Sequence, residues 1–174
     1  MSLTVCPMLQ SRRIEAPSDS MIADWYPSAS LLDTYFVPLH QTHTDVRPLA
    51  RRMLEQPPPG FRLLLGIRDA VMGRFGVKTS QQVRAAHGDN NRMDFFPLLL
   101  ASSEEVILGE DDRHLDFRLS LKLQRNADGP DFLLATTAVR CHNRLGRYYI
   151  WVIKPFHQWV VRSHLARAMR VPAA

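Results

Sequence analysis

Hydrophobic and polar residues alternate most regularly in the segment HLDFRLSLKLQ. Every second position is apolar, and most of the positions between carry charged or hydroxyl side chains. This period of two predicts a strand with one apolar face and one polar face. The apolar face carries Leu115, Phe117, Leu119, Leu121 and Leu123, and the polar face carries Asp116, Arg118, Ser120 and Lys122. The turn residues NADGP and the segment DFLLATTAVRCH then predict a hairpin with a return strand.

Weaker patterns predict the remaining elements. SASLLDTYFVPL predicts a first strand over 28–39, and FFPLLLASSEEVILGEDD predicts two strand segments separated at 101–103, with a turn at 109–113. Two short helices are predicted after the first strand, one in DVRPLARRMLEQ with a cap at Thr44 or Asp45, and one in FRLLLGIRDAVMGRFG. We expect residues 1–22 to be an extended lead-in, 78–94 a loop, and 23–174 a single domain.

The segment RYYIWVIKPFHQWVVR allows two interpretations. Tyr, Ile, Trp and Val favour a strand, after which Pro155 would open a helix in its first turn. The alternative is one helix from about 144 to 170, capped by Asn143 and kinked where Pro155 removes a backbone hydrogen bond. Local propensity leaves both open.

Four motifs, DWYP, PPPGFRLLLGIRDAVMGRFGVKT, RHLDFRLSL and TTAVRCHNRLGRYYIWVIKPFHQWVVR, carry a family resemblance over about 24–170. The chain resembles uncharacterised bacterial proteins with a domain of unknown function, which is also found fused after short-chain-dehydrogenase-like domains. That family is similar to the helix-grip class, which includes polyketide-cyclase-like and lipid-transfer domains. The resemblance implies an α+β fold in which a curved antiparallel sheet, with two short helices after its first strand, grips one long kinked C-terminal helix. The sequence patterns themselves predict five or six strands, whereas the class has six or seven.

Composition narrows the classes of partner. The formal net charge is +5, but the basic residues are scattered and form no run, so we do not expect nucleic-acid binding. Two cysteines make a disulfide framework improbable, and the N-terminus lacks the apolar core of a signal peptide, so we expect a cytoplasmic protein. The basic residues Arg147, Lys154 and Arg162 of the terminal segment are expected to be solvated rather than to bind a membrane, and a homodimer is the assembly that we consider.

Polar residues beside the aromatic terminal segment are the candidates for a ligand site. The aromatic residues Tyr148, Trp151 and Phe156 are either walls of a pocket or part of the core. His142 and His157 either act as acid/base groups, oriented by Asp116 or Glu104, or satisfy backbone groups. Arg118 and Arg140 either clamp an anionic ligand group or form cross-strand ion pairs on the solvent face. The candidate set is Arg118, Thr136, Arg140, His142, Asn143, Tyr148, Trp151, Phe156 and His157.

No metal or cofactor is expected. His40, His43 and Asp45 fit no closed zinc pattern, and phosphate-loop, GxSxG and HExxH motifs are absent from the sequence. We therefore expect a small-molecule binding protein with a pocket for an apolar or amphipathic molecule between the sheet and the C-terminal helix. One alternative is a cyclase/hydratase-like enzyme that uses His142 or His157, and another is an accessory or oligomerisation domain for a dehydrogenase-like partner.

Overall fold

The computed structural model describes residues 11–55, 92–93 and 96–168. In this part of the chain seven antiparallel strands form one open sheet, in the order β1-β2-β7-β6-β5-β4-β3. The α+β class expected from the sequence is confirmed. The strands are β1 Arg12–Ile14, β2 Leu31–Pro38, β3 Arg92–Met93, β4 Phe96–Ala101, β5 Glu105–Asp111, β6 Leu115–Gln124 and β7 Phe132–Cys141. The helices are the 3-10 helix Ala23–Ser28, α1 Val46–Glu55 and α2 Arg144–Ala168.

Most predicted strands form where the patterns placed them. The β6–β7 hairpin and the pair β4–β5 are present. Strands β1 and β3 were not predicted, and β3, at Arg92–Met93, lies within the segment predicted as a loop. Gly109 lies inside β5 and not in the turn that follows it. A side chain at this position would collide with the backbone carbonyl oxygen of Phe117, so the glycine permits close strand pairing. The second predicted helix, at 61–76, and the predicted loop, at 78–94, fall almost entirely outside the described residues.

Helices α1 and α2 cover one face of the sheet, which we call the inner face. The predicted apolar face of β6 lies on this inner face, where Leu121 is the register partner of Ala135 on the neighbouring strand β7. Residues from α1 and α2 fill the same core, and Asp45 caps α1 by accepting the Arg47 backbone N–H at 2.8 Å. Fully buried large side chains of this core include Val37, Val46, Leu49, Val106, Leu108, Leu121, Leu133 and Leu165.

Helix α2 is continuous from Arg144 to Ala168, so the strand interpretation of RYYIWVIK is wrong. The predicted cap is confirmed, because Asn143 Oδ1 accepts the Gly146 backbone N–H at 3.0 Å. Pro155 lies within the helix and supplies no N–H to the carbonyl one turn earlier. Of the described helices, none combines the length and the hydrophobicity that a membrane span requires.

The opposite, outer face of the sheet carries the N-terminal strap, which we define as residues 15–30. Glu105 on β5 fastens it, because its carboxylate accepts hydrogen bonds from Ser20 Oγ at 2.5 Å and from the Met21 backbone N–H at 2.9 Å. Ser120 Oγ donates to the same carboxylate at 2.5 Å. Residues 12–14 and Ser20 therefore contact the sheet, although both lie before the domain boundary predicted at residue 22.

Candidate functional site

Two polar side chains interrupt the apolar inner face of the sheet at neighbouring positions. Asp33 of β2 pairs in register with Thr137 of β7, and both side chains are buried. On the same strand and face as Asp33 lie Leu31, Tyr35 and Val37. A carboxylate at this position requires a partner, because an isolated buried charge is costly.

Arg13 of the edge strand β1 supplies a charge for Asp33. Its Nη2 lies 2.7 Å from Asp33 Oδ1; the arginine side chain is 59% exposed, whereas that of the aspartate is completely buried. The contact lacks hydrogen-bond geometry, so both carboxylate oxygens of Asp33 keep their acceptor capacity. The ion pair compensates the charge without satisfying the acceptors.

His157 of α2 brings an imidazole to this part of the inner face. The residue as a whole is half-buried, but its Nε2 atom is fully buried and has no hydrogen-bond partner. Burial lowers the pKa of His157, while the nearby Asp33 carboxylate acts in the opposite direction and raises it. The neutral imidazole, with one donor and one acceptor nitrogen, is therefore favoured near neutral pH.

Asp33, Thr137 and His157 lie between two clusters of apolar side chains. One contains Leu31, Val139 and Ile150, with Tyr149 and Ile153 of α2 packed against it. The other is the main core, which includes Tyr35 and Val161. Burial raises the pKa of the Tyr35 hydroxyl, and the Asp33 charge raises it further. Asp33 and Thr137 are register partners, and His157 lies near enough to Asp33 for the carboxylate charge to act on its pKa. We call these three residues the polar centre; apolar side chains flank it.

The outer face holds three of the predicted site residues. Arg118 and Arg140 lie with their guanidinium carbons 4.2 and 4.0 Å from the ring centroid of Trp25 in the strap. Arg118 also forms an ion pair with Asp111 at 2.6 Å, which is a cross-strand pair of the kind predicted. Thr136 bonds to Thr34 at 3.1 Å. The two arginines hold the strap, whereas Thr136 links β7 to β2; all three residues lie on the face opposite to His157.

The end of β7 holds the next two predicted residues. His142 Nε2 lies 2.9 Å from Asp116 Oδ1, so one of the two carboxylates considered as an orienting group does meet a histidine. This imidazole is exposed, with 43% of its side chain accessible. Asn143 caps α2, and its Nδ2 lies 2.9 Å from His114 Nδ1. Glu104 is exposed, and its backbone carbonyl accepts the N–H of Leu123.

The three predicted aromatic residues lie on the exposed side of α2. Tyr148 is 63% exposed, Trp151 73% and Phe156 51%, so these rings are neither core nor covered by the sheet. Of the nine candidates, the structure places only His157 in the polar centre described above. The others divide between the outer face, the N-terminus of α2 and the exposed side of α2.

Asp33 and Arg13 were not predicted as site features, and Thr137 was not in the predicted set. One signal for Asp33 is present in the sequence: within SASLLDTYFVPL it occupies the alternating position of Leu31, Tyr35 and Val37, where an acid is unexpected. Arg13 has no comparable signal, because its three-residue strand is exposed throughout.

Two open grooves on the protein surface are not lined by Asp33, Thr137 or His157. One, of about 430 Å³, is formed by the turn after β2 and the β6–β7 turn, and the other, of about 640 Å³, lies between β1, the strap and β2. Neither groove is lined by His142 or His157. Within the described ranges, no three His, Cys, Asp or Glu side chains are grouped as metal ligands, and Asp45 is bound by Arg47 at 2.6 Å.

The fold and this polar centre define an α+β protein with an open antiparallel sheet whose inner face is covered by a C-terminal helix. Residues 25–164 match the family described as protein of unknown function (DUF2867), and the chain belongs to this family. Searches of curated proteins and of solved structures gave no match.

Proposed function

We propose that this protein binds a small, largely apolar molecule between the inner face of the sheet and α2, with the polar centre of Asp33, Thr137 and His157 holding the polar end of the ligand. The observation that carries the proposal is the buried Nε2 of His157, which has no hydrogen-bond partner and lies in the field of the Asp33 carboxylate. The open antiparallel sheet with its C-terminal helix also supports the relation to the helix-grip class.

Unsatisfied buried polar atoms would provide part of the free energy of ligand binding. Leaving a buried donor or acceptor without a partner costs about 1–3 kcal/mol. Asp33 Oδ2 and His157 Nε2 are both in this condition, whereas Asp33 Oδ1 has only the ion pair with Arg13. A ligand group that bonded to both Oδ2 and Nε2 would offset that cost, and this gain would add to the burial of its apolar part.

The chemistry of the three side chains limits the polar end of the ligand. The Asp33 carboxylate only accepts hydrogen bonds, whereas a neutral imidazole and a hydroxyl can each donate or accept. A ligand hydroxyl or primary amide fits this set, because it donates to the carboxylate and accepts from a neighbour. A ligand carboxylate does not fit, because it would face Asp33.

A displacement titration tests the proposal. Nile red, an apolar uncharged dye, should bind the wild-type protein saturably, and long-chain alcohols should displace it more strongly than fatty acids of equal length. His157→Phe should weaken the binding of the alcohol roughly tenfold, because it removes the polar contact and keeps the apolar volume. His142→Gln is the matched control and should bind as wild type does.

Absence of saturable dye binding by a folded sample would refute the proposal, as would equal displacement by alcohols and fatty acids. Native mass spectrometry after mild purification gives a second readout, in which a co-purified organic molecule is expected on the wild type.

Acid/base catalysis is the second candidate, and a buried imidazole in the field of a carboxylate favours it. His157 would accept a substrate proton at Nε2, and Asp33 would stabilise the resulting imidazolium. A cyclase or hydratase would meet this description. His142 with Asp116 is a less favourable pair, because the imidazole is exposed.

A further inference from the structure

Helix α2 presents a continuous row of large apolar side chains to the outside. Tyr148, Trp151, Val152, Phe156 and Trp159 are spaced by three, one, four and three residues, so they lie along one side of the helix over three turns. We call this row the aromatic stripe. Its members are between 38% and 73% exposed, and the rings of Tyr148 and Trp151 are neighbours, with centroids 6.0 Å apart.

The aromatic stripe exposes more contiguous apolar area than isolated apolar residues on a protein surface do. An aromatic side chain has roughly 150–250 Å² to bury, so the four rings leave on the order of 400 Å² of apolar surface. Contiguous apolar patches of a few hundred Å² are often functional contact surfaces.

Basic side chains border the aromatic stripe. Arg147 precedes Trp151 by four residues and Lys154 follows it by three, so both lie next to Trp151 on the helix surface. Arg144 lies one turn before Arg147, and all three are exposed. Helix α2 contains no aspartate or glutamate, and no described carboxylate forms an ion pair with these three residues.

This charge pattern argues against a second copy of the chain as the occupant. Two aromatic stripes packed face to face would bring Arg147 and Lys154 of both copies together with no acidic residue on either helix. A stable interface also needs about 800 Å² from each partner, about twice what the stripe offers. Lysine, moreover, is depleted in protein interfaces.

We propose that the aromatic stripe of α2 docks on the surface of an anionic lipid bilayer. Trp and Tyr rings are enriched at the boundary between lipid headgroups and acyl chains. A helix with aromatic side chains on one side and flanking basic residues lies flat in this boundary, with its cations on the acidic headgroups. The sequence predicts that the aromatic residues of this segment are core or pocket wall, whereas the structure exposes them beside basic residues on one side of α2.

Vesicle sedimentation tests the docking surface. The protein should sediment at low salt with vesicles of phosphatidylcholine and phosphatidylglycerol, remain in solution with phosphatidylcholine alone, and be released by added salt. Arg147→Ala and Lys154→Ala should each weaken the partition coefficient about fivefold, and Trp151→Ser should weaken it roughly tenfold.

Leu100→Ser is the matched control, because Leu100 is an exposed apolar residue of β4, 57% accessible, away from α2. It should bind vesicles as wild type does. Tryptophan emission should shift to shorter wavelength on binding, and the shift should shrink in Trp151→Ser. Circular dichroism should show the same fold in all four variants, because the substituted side chains are exposed.

Three outcomes would overturn the proposal. The first is no sedimentation with the anionic vesicles, and the second is equal binding to both kinds of vesicle. The third is a dimer, detected by light scattering, that Trp151→Ser dissociates, because a second copy would then cover the aromatic stripe. The vesicle experiment is independent of the ligand site, since none of its variants alters Asp33, Thr137 or His157.

Discussion

Arg13 and Asp33 form an ion pair across the edge of the sheet, in which the aspartate side chain is completely buried and the arginine is 59% exposed. Arg13→Ala should lower the free energy of unfolding by about 1–3 kcal/mol, because it leaves a buried charge without compensation. Substitution of an ordinary exposed arginine changes stability by about 0.5 kcal/mol or less. Urea denaturation measures the difference.

A double-mutant cycle separates this charge effect from lost packing. In the Asp33→Asn background no buried charge remains, so Arg13→Ala should there cost less than half of its cost in the wild type. An equal cost in both backgrounds would show that the arginine stabilises β1 without acting on Asp33.

His157 should make stability depend on pH. Its pKa is lowered in the folded protein, mainly by burial, and in the unfolded chain it returns to about 6.5. Below that pH the unfolded state binds more protons than the folded state, so the free energy of unfolding should fall as pH decreases through about 6.5. The Asp33 carboxylate moderates this effect.

Urea denaturation at several pH values between about 7.5 and 5 gives the test. His157→Gln should flatten the curve over this range, because it removes the buried imidazole whose pKa is lowered by folding. If the free energy of unfolding of His157→Gln depended on pH as steeply as that of the wild type, His157 would not be the source of the pH dependence.

Truncation of two tryptophans, Trp25 and Trp151, should change stability by very different amounts. Trp25→Ala should lower the free energy of unfolding by about 2 kcal/mol or more, since it removes the ring that Arg118 and Arg140 cover and loosens the strap. Trp151→Ala should change it by about 0.5 kcal/mol or less, because the side chain is 73% exposed. Similar losses for the two variants in urea denaturation would contradict the packing described for Trp25.

Gly146→Ala should destabilise the protein although alanine is the better helix former. A Cβ at this position would collide with the backbone carbonyl oxygen of His114, where the first turn of α2 meets the end of the β5–β6 turn. We expect a loss of about 1–3 kcal/mol, measured by thermal and urea denaturation. The neighbouring Arg147→Ala, on the exposed side, should be nearly neutral, and a neutral Gly146→Ala would show that this contact relaxes freely.

The sequence predicts the elements whose own patterns are strong. The alternation in β6, the turn after it and the β-formers of β2 are local signals, and each strand forms close to its predicted bounds. The cap at Asn143 was also readable, because a helix N-terminus needs an acceptor at that position. The choice of one helix for the terminal segment came from the family resemblance, since its aromatic and β-branched residues favour a strand.

The elements that were missed depend on contacts between distant residues. Strand β1 has three exposed residues and exists because β2 offers it a pairing edge. The polar centre likewise joins Asp33 to His157 across more than a hundred residues of chain, and no local pattern records such a meeting. Only the placement of a carboxylate on an apolar face indicated that Asp33 needed a partner.

The strand order also constrains when the sheet can be completed. Strands β3 to β7 follow one another as neighbours, but β2 pairs with β7, and Thr34 meets Thr136 over a separation of 102 residues. Among the described strands, β1 and β2 can pair with each other early, but they cannot join the rest of the sheet until β7 has been synthesised. Pairings of such long range are slow, so β1 and β2, made first, should be the last strands to find their places.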